Sequence, residues 1–152
     1  MGEYRKPRVA VCAVEPADAA RSCICELSEK LPTAPDLFVL VSDDGVVTNF
    51  DKLVSRSLPE PVRGRMRLVS QDGTEGSGGN SLGTSDGQLT ADSVMDFSTW
   101  MDQRSAGELQ DHLDAGQCII FVRVTDADEE SRAYRTFDRF CLGNVQMHDL
   151  PA

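Results

Sequence analysis

The chain has 152 residues, long enough for one domain with a sizeable core and an insertion. Its net charge of −10 disfavours partners that are themselves polyanionic, so neither nucleic acid nor an acidic membrane surface is an expected partner. No apolar run approaches the length of a bilayer span and no signal-peptide core follows Met1-Gly2-Glu3-Tyr4-Arg5-Lys6, so a cytoplasmic protein without a membrane role is expected.

Arg8 to Val14 reads as a first strand, small and apolar. Glu15-Pro16 opens a helix, since Pro is tolerated in a first turn. Ala20, Ile24, Leu27 and Leu31 recur at helical spacing until Pro32 stops them. Leu37 to Ser42 is a buried strand, which closes a βαβ unit over residues 8–42.

Residues 43–117 read as an insertion. Ser42-Asp43-Asp44-Gly45 is a turn, and Thr48 or Asn49 caps a short helix carrying Phe50, Leu53 and Val54. Arg63, Arg65 and Arg67 share a face if the chain is extended, which suits a solvated strand edge or a contact with an acidic or phosphate-bearing partner. Gln71 to Asp92 is rich in Gly, Ser, Thr and Asp, has little to bury, and reads as a flexible loop over 71–92. Deleting Thr74 to Gly87 is therefore expected to leave the fold intact. Val94, Phe97, Trp100 and Met101 then fall on one helical face. Ser105 and Glu108 form a capping box for a helix through Leu109 and Leu113, ended by Gly116.

Cys118 to Val124 is β-branched and aromatic, a strand. Asp126 with Glu129 marks a helix start. Tyr134, Phe137 and Cys141, with Ala133 and Phe140, lie on one face of that helix, and Gly143 stands where a left-handed C-terminal residue is favoured. Val145 to His148 alternates as a final strand, which completes a second βαβ unit over 118–150. The two ends superpose without a gap. Val14 meets Val124, Ala17 meets Ala127, Asp18 meets Asp128 and Leu27 meets Phe137, as an internal repeat or as patterning shared by all such units.

Two βαβ units pairing into one sheet with both helices on one face make an α+β chain of ferredoxin-like split βαβ type. The whole of 1–152 is then a single domain. A small doubly wound α/β sheet is the alternative, since strand order is not written in the sequence. The stretches Val11 to Glu26, Leu113-Asp114-Ala115-Gly116, Val122-Arg123-Val124 and Asn144 to His148 resemble the bacterial general stress protein 17M-like family. That resemblance implies a stress-linked role and names no catalytic residues. The family's glycine- and alanine-rich apolar middle is replaced here by a polar one, which argues against carrying over any membrane association.

The motifs that could carry chemistry fail on context. Gly79-Asn80-Ser81-Leu82-Gly83 and Gly83-Thr84-Ser85-Asp86-Gly87 match G-x-S-x-G, but a nucleophile elbow needs a strand before it and a helix after it. No lysine follows Lys52, so a P-loop is excluded. Glu15-Pro16-Ala17 stands where a dinucleotide fingerprint would place glycines. The five cysteines show no disulfide-scaffold spacing and fit a reducing compartment. Cys12, Cys118 and Cys141 lie within apolar patterns as small hydrophobes. Cys23 and Cys25, two apart on a helix, point to different faces and make a poor zinc pair. No metal, cofactor or catalytic residue is expected, and Cys23→Ser with Cys25→Ser is expected to melt like the parent.

The strand faces carry the functional expectation. Ile120, Val122 and Val124 should meet the crossover helices, leaving Ile119, Phe121 and Arg123 on the other side with Val9, Val11 and Ala13. Val9, Val11, Ile119, Phe121 and Arg123 form the candidate interaction surface, too apolar to face water. A second copy of the chain could cover it, or the segment Val94 to Met101 from within, the cover favoured here. Arg123 either lays its stem on Phe121 with its head in solvent or contacts an anion. The expected function is a non-catalytic module for protein–protein interaction or self-assembly, with a small-molecule-binding regulatory domain as the alternative.

Overall fold

The computed structural model describes residues 8–15, 18–30, 37–42, 66–70, 75–77, 94, 97–124 and 126–149. In chain order the elements are β1 (Arg8–Val14), α1 (Asp18–Lys30), β2 (Leu37–Val41), β3 (Met66–Ser70), β4 (Glu75–Ser77), a 3-10 turn (Phe97–Thr99), α2 (Gln103–Asp114), β5 (Cys118–Val124), α3 (Ala127–Phe140) and β6 (Gln146–Asp149). The chain is α+β. The six strands among the described residues form one mixed sheet in the order β4-β3-β2-β5-β1-β6. β2 and β3 are parallel, and every other neighbouring pair is antiparallel.

The inner strands are apolar on both faces because both faces are covered. Ala10, Cys12 and Val14 of β1 and Ile120, Val122 and Val124 of β5 pack under α1 and α3, against Ala20, Ile24, Leu27, Ala133 and Phe137. On the opposite face Val9, Val11, Ala13, Ile119 and Phe121 pack under Val94, Phe97, Met101 and the α2 residues Ala106, Leu109 and Leu113. The face assignment made from strand alternation therefore holds residue by residue. A row runs across the sheet on this second face: Val11 opposes Phe121, Phe121 opposes Phe38, and Phe38 opposes Arg67. The Arg67 guanidinium sits 5.9 Å from the Phe38 ring centre and closes the row with a cation–π contact.

The antiparallel β1–β5 pair is centred on Val11 and Phe121. Those two residues also coincide when the chain ends are superposed in sequence, so the two βαβ units meet about a local two-fold at their middle strands. α1 packs on α3, and β6 lies beside β1 as β2 lies beside β5.

Several local expectations change. The segment 97–101 is a 3-10 turn and not a longer α-helix face: Trp100 and Met101 both donate to the Phe97 carbonyl, at 3.3 and 3.0 Å. Asp102 is then extended (φ −66°, ψ 155°) and caps α2 by accepting from the Ser105 amide at 3.0 Å. Ser105 is thus the third helical residue and not the cap, because a carboxylate is available a turn earlier. α3 starts as read, with Asp126 accepting from the Glu129 amide at 2.8 Å. It ends differently: α3 closes at Phe140 and Cys141 is extended, so Gly143 is not a left-handed cap. Gly116 is one (φ 86°), with its amide on Leu113 O and the Gln117 amide on His112 O, the paired bonds of a Schellman ending. Tyr134 is half exposed while Thr136 is buried in its place on the inner stripe of α3.

The insertion 43–117 is structural and not peripheral. Among the described residues it supplies β3, β4 and the cover of the second face. Glu75–Ser77, within the stretch read as a loop, pairs with β3. The expected helix at Phe50 to Val54, Arg63, Arg65 and both G-x-S-x-G matches lie outside the described residues. Among the described residues no helix is long and apolar enough to cross a membrane.

Candidate functional site

Val9, Val11, Ile119 and Phe121, expected as an interaction surface, are fully buried beneath α2 and the 97–101 turn. They are core, not surface, and the intrachain cover is the one the chain adopts. Phe97 leans on Phe121 with ring centres 6.4 Å apart. Arg123 is half-buried at the margin of this face, and its Nε is buried without a hydrogen-bond partner among the described residues.

Two concave places are lined by the described residues. The first forms where β1 outruns its neighbour. β6 pairs with β1 only as far as Val11, opposite Gln146. Beyond it the Ala13 peptide would face water on that edge. The chain leaving α3 takes its place: the Leu142 amide donates to Ala13 O at 2.8 Å. Behind Cys141 lie Cys12 and Cys23, both fully buried. The Cys12 thiol approaches Phe137 O at 3.9 Å, the carbonyl that accepts from the Cys141 amide at 2.7 Å.

These contacts separate the two thiols electrostatically. The neighbouring Cys12 thiol, with help from the Gly143 and Ala13 amides, lowers the Cys141 pKa to about 6 against the cost of its partial burial. Cys12 is pushed the other way, first by its hydrogen bonds to Cys141 and Cys23 and then by burial. In front of Cys141 is a cavity of about 170 Å³, walled by Ala13, Leu109, Glu108, His112 and Gly143. The His112 Nδ1 faces Gln117 Oε1 at 2.6 Å, and Gln117 Nε2 donates to Glu15 Oε1 at 3.2 Å. The amide oxygen is an acceptor only, so Nδ1 carries a hydrogen. Nε2 points at Gly143, where a Cβ would stand 3.4 Å from it.

The second place is a groove of about 700 Å³ along the outer faces of α1 and α3. Lys30, Arg132, Arg135 and Arg139 line it with Glu26 and Glu29, over the buried hydroxyl of Thr136. Arg139 pairs with Glu26, and Arg132 reaches Asp128 at 3.3 Å and Lys30 O at 3.4 Å. Four cations against two carboxylates make this a positive strip on an acidic chain.

Sequence reasoning missed both places. The Arg132, Arg135 and Arg139 stripe has helical spacing and was legible; its facing partner on α1 was not. Nothing in the spacing of Cys12, Cys23 and Cys141 announces that they meet. Cys25 is half-exposed and its thiol is raised by burial, while Cys23 points inward, so the C-x-C pair does divide between two faces. His148 lies against Trp100 and Gln146 and not beside Cys12 or Cys118. Among the described residues no group of three or more His, Cys, Asp or Glu side chains is placed to hold a metal ion. Compared with known proteins, the chain matches no family model, no curated protein and no solved structure.

Proposed function

We propose that the chain is a binding module whose ligand is a small anionic molecule, held in the groove between α1 and α3. The observation that carries this is the concentration of four cations around one concavity on a chain of net charge −10. Guanidinium groups on a packed helix are positioned donors for carboxylate or phosphate oxygens. Self-assembly through the sheet loses its motive, because the apolar face that called for a second copy is filled from within. The order β2-β5-β1-β6, with α1 and α3 together on one face, supports reading those six elements as a ferredoxin-like split βαβ core extended by β3 and β4. A regulatory role and the stress link implied by the family resemblance belong to the same proposal.

The test is thermal unfolding with inorganic phosphate, citrate and a nucleoside triphosphate. A true ligand raises the melting temperature saturably, by about 2.7 kcal/mol of added stability at a hundredfold excess over Kd. The rise should weaken with salt and vanish in Arg135→Glu, an exposed position. No shift with any of the three anions, or an unchanged shift in Arg135→Glu, would remove this reading. Binding of an acidic peptide alone would return the site to a protein partner.

A further inference from the structure

We propose that the ligand of the groove between α1 and α3 is a sugar monophosphate, with its phosphate among Lys30, Arg132 and Arg135 and a pair of neighbouring hydroxyls on Glu29. This rests on the reading of that groove as an anion site and names the rest of the molecule that it holds.

The two walls of the groove carry opposite charge. Arg139 pairs with Glu26, and Arg132 reaches the Lys30 carbonyl. Higher numbers on α3 thus meet lower numbers on α1, and the two helices run antiparallel. α3 gives Arg132, Arg135 and Arg139 to one wall. α1 gives Glu26 and Glu29 to the other, with Lys30 at its end. Arg132 and Arg139 lie two turns apart, about 10 Å along the helix axis.

The pairs already made leave the groove uneven along that length. At the Arg139 end the guanidinium is matched by Glu26. At the other end Arg132 is held by Asp128 at 3.3 Å and by Lys30 O at 3.4 Å, which fixes its head beside the last residue of α1. Among the described residues neither the Lys30 ammonium nor Arg135 is in an ion pair. One positioned guanidinium and two unmatched cations gather at that end, the setting for a single phosphate.

Glu29, on the opposite wall and one turn from Glu26, is exposed and has no ion pair among the described residues either. Its two oxygens only accept, and hydroxyls on adjacent carbons can donate one to each. Glu26 and Glu29 together repel a second phosphate or carboxylate, so a single anionic group on a neutral, hydroxylated body suits the groove better than a polyanion. At about 700 Å³ the groove has room for a sugar ring between its walls.

The test is titration calorimetry on the full chain at low salt with ribose 5-phosphate, pentyl phosphate and phosphoethanolamine. Pentyl phosphate keeps the phosphate and the chain length and lacks the hydroxyls. Phosphoethanolamine puts an ammonium in their place. Ribose 5-phosphate should bind about tenfold more tightly than either, the worth of a hydrogen bond to a charged group. Glu29→Ala removes an acceptor and a repelling charge together. It should weaken ribose 5-phosphate and tighten pentyl phosphate, so that their ratio falls to about one, a pair of opposite changes that loss of structure does not give. Arg135→Glu should weaken all three ligands by about tenfold or more. Both positions are exposed, so both variants should fold. If ribose 5-phosphate and pentyl phosphate bind the parent equally and Arg135→Glu abolishes both, the anion site stands and its sugar specificity is overturned. Tighter binding of phosphoethanolamine than of ribose 5-phosphate overturns it in favour of a zwitterion. A preference for the sugar that persists in Glu29→Ala overturns the contact with Glu29. Binding of none of the three overturns both this inference and the reading beneath it.

Discussion

Cys23 and Cys25 show how two positions of helix decide what a thiol is worth. Cys23 is fully buried beside Cys12, and Cys25 is half-exposed. The expectation that both could be replaced without effect therefore splits. Cys25→Ser should melt with the parent. Cys23→Ser places a hydroxyl in an apolar core and should lower stability by about 1–3 kcal/mol, read from denaturant midpoints at constant slope. His148 is a second case. Burial lowers its pKa; Arg8 adds to this, while Asp102 and Asp149 oppose it. A histidine depressed in the fold contributes stability that is complete above the unfolded value of about 6.5 and is lost as pH falls toward the folded one. Its ring stands edge-on to Trp100 with centres 6.2 Å apart, so the only tryptophan reports the change. Trp100 emission should titrate with a midpoint below pH 6.5 and stop titrating in His148→Gln. A flat emission profile from pH 7 to pH 5 in the parent would show that His148 does not protonate in the folded chain.

At the scale of elements, the cover of the second face carries the most stability that can be tested by one substitution. Phe121 lies between Val11 and Phe38 in the sheet and under Phe97. Phe121→Ala should cost about 3–5 kcal/mol, as other large-to-small core changes do. It should also shift Trp100 emission to the red as the 97–101 turn loosens. A fall below about 1 kcal/mol would mean that α2 collapses onto the gap or was never tightly packed there. The edge of the sheet gives a second test. Deleting Thr74 to Gly87 removes β4 and leaves the outer edge of β3 without its partner. The deletion should lower the unfolding midpoint and increase aggregation, where a structureless loop would have been lost with little effect. Asp126→Ala removes the α3 cap and should cost about 1 kcal/mol.

Over the whole molecule, the sheet has helices or turns on both faces, and the exposed large hydrophobics among the described residues are Tyr134 and Leu142. Two separated side chains do not make a patch that demands a partner. The chain should therefore sediment as a monomer at micromolar concentration, with Trp100 emission that of a half-buried indole. A tight dimer that Phe121→Ala dissociates would show that the second face is shared between copies.

The sequence by itself determined the two βαβ ends, because their strands are short apolar runs bounded by turn residues and their helices carry apolar residues at helical spacing. It also determined which residues of β1 and β5 face α1 and α3, since alternation is a property of the extended chain. Gly116 and Asp126 were legible for the same reason: a left-handed position and a capping carboxylate are local chemistry. What depended on distant partners was not legible. Glu75–Ser77 has little strand character of its own and pairs because β3 presents an edge. Asp102 displaced Ser105 as cap because the 97–101 turn brought it into an extended conformation. The meeting of the α1 and α3 charges came from the packing of elements far apart in the chain. No local pattern encodes such meetings, because only the closed sheet brings the end of α3 back to β1.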